Sequence, residues 1–286
     1  MSVKQVLTVI AIVAAASIIV VWLALPPAPE WQRPYLKNAD LVNAKDKDGD
    51  TPLHRAAAEG KNIEAAFFLD HHAAVDAANE RGRTPLHLAA ENGHTATATL
   101  LLARGALVDA KDKQGFTALG LAIDKKRTEV ARLLLAHGAA TATGAGPMGR
   151  TSLHQAIEQG DLATLKLLLA KTDDPNAPDK DGWTPLHAAA SAGNVAAAEA
   201  LIASGAKIDP RTVNNMTPLH YAAAKGRKEM VEFLLAHGAD PKARASNGRT
   251  PADYAGIERQ SAVSEILRKA TEGAPSAPAA TTPAKP

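Results

Sequence analysis

The amino-acid sequence predicts an all-α repeat solenoid preceded by a transmembrane helix, and three observations predict it. First, Thr51-Pro52-Leu53-His54 returns as Thr84-Pro85-Leu86-His87, and the series continues at Thr117, Thr151, Thr184, Thr217 and Thr250. Five of the six intervals are thirty-three residues and one, Thr117 to Thr151, is thirty-four, the mark of an array of one unit. Second, each interval carries two short helical patterns, and neither is long enough to be stable without packing on its neighbours. Third, Val6 to Leu25 is an uncharged apolar run of twenty residues.

At about 1.5 Å per residue that run spans roughly the 30 Å of a bilayer core. Trp22 and Trp31 lie at or near one end, where interfacial aromatics sit. The run is longer than the roughly 7 to 15 residues of a cleaved signal, no A-x-A site follows, and Pro26, Pro27 and Pro29 crowd the place of cleavage. Residues 1–25 therefore read as an uncleaved signal anchor, with a cleaved signal and a soluble periplasmic product as the alternative. Lys4 before the run and Arg33 and Lys37 after it barely discriminate orientation. Similarity to bacterial signal anchors favours a single-pass inner-membrane protein with periplasmic repeats, the alternative being cytoplasmic repeats.

Residues 26–42 form a Pro-rich linker and cap, in which Tyr35 and Leu36 are expected to cover the apolar end of the first repeat, as the terminal units of solenoids require. Residues 43–270 hold seven repeats, starting near 43, 77, 110, 143, 177, 210 and 243. Residues 271–286 are Pro, Ala and Thr with little to bury, and read as a disordered tail.

The cleanest repeat runs from Asp179 to Asp209. Asp181-Gly182 supplies turn chemistry. Thr184 is an N-cap, and Pro185 stands at the first helical position, where its missing donor costs nothing. The first helix runs through alanines to Gly193, and the second, from Val195 to Ala203, shows the i, i+3, i+4 apolar spacing and closes at Gly205.

This period and the T-P-L-H-x-A signature resemble the ankyrin repeat family, over about Asn43 to Ala270. The resemblance implies a β-hairpin loop and two antiparallel helices per repeat, stacked in a slightly curved solenoid whose hairpin tips and inner helices form the concave binding face. It also implies that His54, His87, His154, His187 and His220 hydrogen-bond backbone between units. No pair of these has the i, i+4 spacing with a neighbouring carboxylate that zinc enzymes use, so no metal is expected. His71, His72, His94, His137 and His237 read as loop or surface residues.

Other chemistries find no support. There is no G-x-S-x-G elbow, Walker loop, Rossmann fingerprint or H-E-x-x-H, so neither catalysis, a cofactor nor a small-molecule substrate is expected. Asp173-Asp174 reads as a solvated turn. A net charge of +2, with no basic run longer than Lys125-Lys126-Arg127, argues against nucleic acid. Absence of cysteine removes disulfides and thiolate metal sites.

The array departs from its rule at one junction. Repeat three has Gly120 where others have histidine and Asp124-Lys125-Lys126 where others have a helix-ending glycine. Repeat four follows the long loop Thr143 to Gly149 and ends in Thr172-Asp173-Asp174-Pro175. Repeat seven, with Tyr254, Arg268 and Lys269, reads as a polar terminal cap.

The informative position stands immediately before each threonine: Asp50, Arg83, Phe116, Arg150, Trp183, Met216 and Arg249. With aromatics at only 3% of the chain, Trp and Phe at exposed hairpin tips point to an interface, where aromatics, Met and Arg are enriched. The expected protein-binding strip centres on Phe116, Trp183 and Met216, with Arg83, Arg150 and Arg249 between them and Tyr221, Lys225, Glu91 and Asn92 on the inner helices. The function expected is a membrane-tethered, non-enzymatic scaffold for a protein partner. The alternative is an accessory factor supporting a separate periplasmic enzyme.

Overall fold

The computed structural model describes residues 28–141, 149–171 and 174–273. Seven helix pairs follow one another, from Pro52–Glu59 and Asn62–Asp70 to Pro251–Ile257 and Ser261–Gly273. Inner helices stack on inner helices and outer on outer, so the core is one continuous seam rather than a centre. Leu53, Leu86, Leu119, Leu153, Leu186 and Leu219, one in each of the first six repeats, are at most 2% exposed along it. The alanines beside them let the helices approach closely.

Inner helices start where the threonines stand. In repeat five the Thr184 side chain and the His187 side chain cap each other's backbone, Pro185 follows, and Gly193 ends the helix at φ 75°. A side chain at 193 would also meet Arg227 Cδ at 2.9 Å, so this glycine answers to both backbone and space. Lys126, at the irregular position, adopts φ 54° without being glycine, as Arg259 does at 58°. The stacked neighbours impose the left-handed turn whether or not the local residue favours it.

Several expectations need correction. Among the described residues there are no β-strands, only an isolated bridge at Arg150, so the expected β-hairpins are tight loops. The repeat-five loop closes on two backbone bonds, Asp179 N–H to the Trp183 carbonyl at 2.8 Å and Gly182 N–H to the Asp179 carbonyl at 3.1 Å, and receives one from its neighbour, Val213 N–H to the Asp181 carbonyl at 2.9 Å. That is too few for a ladder. Leu36 does not cover repeat one: it is 52% exposed, whereas Trp31 and Tyr35, one helical turn apart, pack edge-on against Phe67 and Phe68 at 4.9–6.4 Å. Trp31 is thus part of the cap, not an interfacial aromatic. The last helix extends to Gly273, past the Ala270 boundary, burying Val263 and Leu267 and pairing Arg268 with Glu265 and Glu272 outside.

Among the described residues no helix is long and apolar enough to cross a membrane; the Val6–Leu25 anchor, Thr143 to Met148, Thr172-Asp173 and the tail from Ala274 lie outside them.

Candidate functional site

The tip row is built from two framework elements that recur in most repeats. The first lies four residues before the tip. Asp179 Oδ1 accepts the N–H groups of Asp181 and Trp183, both at 2.9 Å, and Asp112, Asn79 and Asp46 do the same in their loops. Asp179 therefore anchors the loop, and Gly182, at φ 74°, makes its reversal as expected. The signal for Asp179 was an Asp or Asn recurring in register with the threonines.

The second element is the histidine column. His187 Nδ1 accepts from the Thr184 N–H at 3.0 Å, so the proton sits on Nε2, which donates to the Met216 carbonyl at 3.0 Å. His54, His87, His154 and His220 bind the carbonyls of Arg83, Phe116, Trp183 and Arg249 in the same way, at 2.9–3.3 Å. Each tip after a histidine repeat is thus clasped by the preceding unit through its backbone. Burial pushes all five imidazoles below their ordinary 6.5, His154 and His187 to about 4, so the column is neutral at pH 7.

A third, unexpected set of ties crosses the far ends of the inner helices. His94, read as a surface residue, brings Nε2 within 3.0 Å of the Ala58 carbonyl. Arg127 and Arg227 donate through Nε to the carbonyls of Glu91 and Ser191. Of the remaining histidines, His71, His137 and His237 bind carbonyls one turn back in their own helices.

Side chains of the row are less free than the sequence implied. Arg83 pairs with Glu91 at 2.6 Å and with Asp112 of the next loop at 3.4 Å, and is 13% exposed. Arg150 pairs likewise with Glu158 and, at 3.9 Å, with Asp179. Trp183, expected to face solvent, is half-buried: its ring meets Tyr221 edge-on at 4.2 Å and lies tilted 5.6 Å from His187. Phe116 and Met216 are also half-buried. Arg249, Lys225 and Asn92 are exposed, although the Asn92 amide donates to the Leu88 carbonyl of its own helix. The structure thus joins Trp183 to Tyr221 and Arg83 to Glu91. It leaves Lys225 and Arg249 open.

A sequence profile described as "Ankyrin repeats (3 copies)" matches residues 14–112, 107–179, 153–245 and 212–274. The chain belongs to the ankyrin repeat family. Among solved structures, this ankyrin chain is similar to the human ASB11 ankyrin repeat domain, with 28% identity and a TM-score of 0.68 over 79% of this chain and 100% of that one. It is similar also to the ankyrin repeat domain of Bcl-3, described as a unique member of the IkappaB protein family, with 30% identity and a TM-score of 0.69 over 78% and 100%. No curated protein matches. Ankyrin repeat domains are typically non-enzymatic modules that mediate protein–protein interaction.

Proposed function

We propose that this ankyrin domain holds a protein partner on the face made by the loop tips and inner helices, with Phe116, Trp183, Met216, Tyr221, Lys225 and Arg249 as its strip. The observation that carries this reading is a contrast within each tip. At Arg83, Phe116, Trp183 and Met216 the backbone is held both by the anchor position and by a histidine, while the side chain changes from one to the next. A framework that fixes the backbone leaves the side chain open to recognition. Arg83, Arg150 and Glu91 belong to the strip as its internally paired edge, and Asn92 flanks it.

The experiment is site-specific photo-crosslinking. A photoreactive residue replacing Met216, Lys225 or Arg249 should capture one partner that the same residue at Glu199 or Glu232, on outer helices, does not. Capture only from the outer helices would sink the proposal.

We propose further that Val6–Leu25 tethers the domain to a membrane, with the repeats on the periplasmic side of a bacterial inner membrane. The support is the length and composition of that run. A tether raises the local concentration, so a modest interface suffices. A reporter active only outside the cytoplasm, fused after Pro286, should be active and membrane-bound; an inactive, protease-protected fusion would reverse the orientation.

A further inference from the structure

We infer that repeats five to seven form the docking site proper, and that its occupant is an extended acidic segment of the partner carrying one large apolar side chain. This rests on the protein-binding reading above and narrows it.

The two halves of the face differ in what their side chains already hold. In repeats two and four the tip arginines are engaged inside the protein, by Glu91 and Asp112 and by Glu158 and Asp179. A partner's carboxylate would have to displace those ion pairs. In repeats five to seven the tip loops and inner-helix ends include Arg211, Lys225, Arg244 and Arg249, all exposed, and among the described residues none of these four forms an ion pair. Arg211 and Arg244 are oriented by their own loops, giving Nη1 to the carbonyls of Asn215 and Gly248. Of the carboxylates of the same loops and inner-helix ends, Asp179 is buried beside Arg150 and Asp253 already accepts from the Thr250 N–H and hydroxyl at 2.8 Å, leaving Asp181 and Glu258. Positive charge with no carboxylate in ion-pair contact favours an acidic ligand.

Apolar surface is concentrated in the same half. Trp183 and Tyr221 make a half-buried aromatic step, and the exposed large hydrophobics of tip loops and inner helices are Val213, at 67%, and Ile257, at 51%. Lys225 stands one helical turn beyond Tyr221, and Arg249 follows Met216 by one repeat. Stacked helices lie about 8 to 10 Å apart, so one repeat equals about three residues of extended chain. The ligand therefore places an apolar residue at the Trp183–Tyr221 step and carboxylates about three to six positions away.

The test selects twelve-residue peptides from a random display library on the full chain in detergent, then measures the best as fluorescein-labelled synthetic peptides. Acidic sequences with one aromatic or large aliphatic residue are expected. Their affinity should fall about tenfold or more in the double variant Lys225→Glu, Arg249→Glu, and by a similar factor between 50 and 300 mM salt. Arg81→Glu, an exposed cation in the other half, should leave it within about twofold. Neutral or basic winners, an effect of Arg81→Glu instead, or no enrichment at all would overturn the inference. If tip-row crosslinks to the natural partner persist in that case, the broader reading stands; if they fail too, both fall.

Discussion

Repeats five and three begin alike and are tied to their neighbours differently. In both, a threonine in extended conformation caps the inner helix, Thr184 through its box with His187 and Thr117 through its hydroxyl, which accepts the Gly120 N–H at 3.2 Å. Repeat five then reaches across to the Met216 carbonyl with His187. Repeat three has no side chain at Gly120 and makes no such clasp, although Thr128 and Asp124 still bond Asp161 and Gln159 of repeat four. In repeats four and five lie three buried atoms without a hydrogen-bond partner: Arg150 Nε, Gln155 Oε1 and Trp183 Nε1. Helix initiation is local and survives the loss of the histidine. The clasp on the next repeat's carbonyl is not local, and is lost with it.

That contrast can be broken or sharpened by measurement. The largest effect belongs to the seam: Leu186→Ala and Leu119→Ala, both fully buried, should each cost about 2 to 5 kcal/mol in urea unfolding. A much smaller loss at Leu119 would show repeat three to be loosely packed already. Next comes acid. The unfolded histidines bind protons at 6.5 and the folded ones lower, His154 and His187 at about 4, so the neutral column's contribution is fully present above pH 6.5 and is lost as pH falls toward 4. Those two positions should each forfeit on the order of 3 kcal/mol over that window. Urea midpoints at pH 7.5 and 4.5 check it; His187→Ala should flatten the profile, and unchanged midpoints in the parent chain would refute the neutral clasp.

A smaller and more pointed test fills the gap itself. Gly120→Ala should gain about 0.5 to 1 kcal/mol from helix propensity alone. Gly120→His should add about 1 kcal/mol by clasping the Arg150 carbonyl. Only the histidine variant should steepen the acid dependence. Smallest is Lys126→Gly, which relieves a left-handed turn and should raise stability by about 0.5 to 1 kcal/mol; a loss would mean that the lysine stem packs more than its backbone strains.

Much of the fold was legible because it is written in local chemistry. The Thr-Pro starts and the buried leucine at each first turn follow from capping and periodicity within a few residues of one another. Trp31 was not legible as a cap residue, because its partners Phe67 and Phe68 stand far along the chain. The same holds for His94, whose acceptor is the Ala58 carbonyl of the preceding repeat. Asp179 was readable but overlooked: its bonds to Asp181 and Trp183 are local, and its position recurs with the period.

The sequence by itself determined the period, the helices and the positions at which side chains vary, since caps, turns and apolar spacing act over distances shorter than one repeat. Only the tertiary structure decided which varied side chains remain available. Arg83 and Arg249 occupy the same register, yet Arg83 meets Glu91 and, from the next loop, Asp112, while Arg249 meets no carboxylate within ion-pair distance among the described residues. The physical reason is that Glu91 comes within reach only once the loop folds back over its own inner helix, and Asp112 only once the next repeat stacks against it.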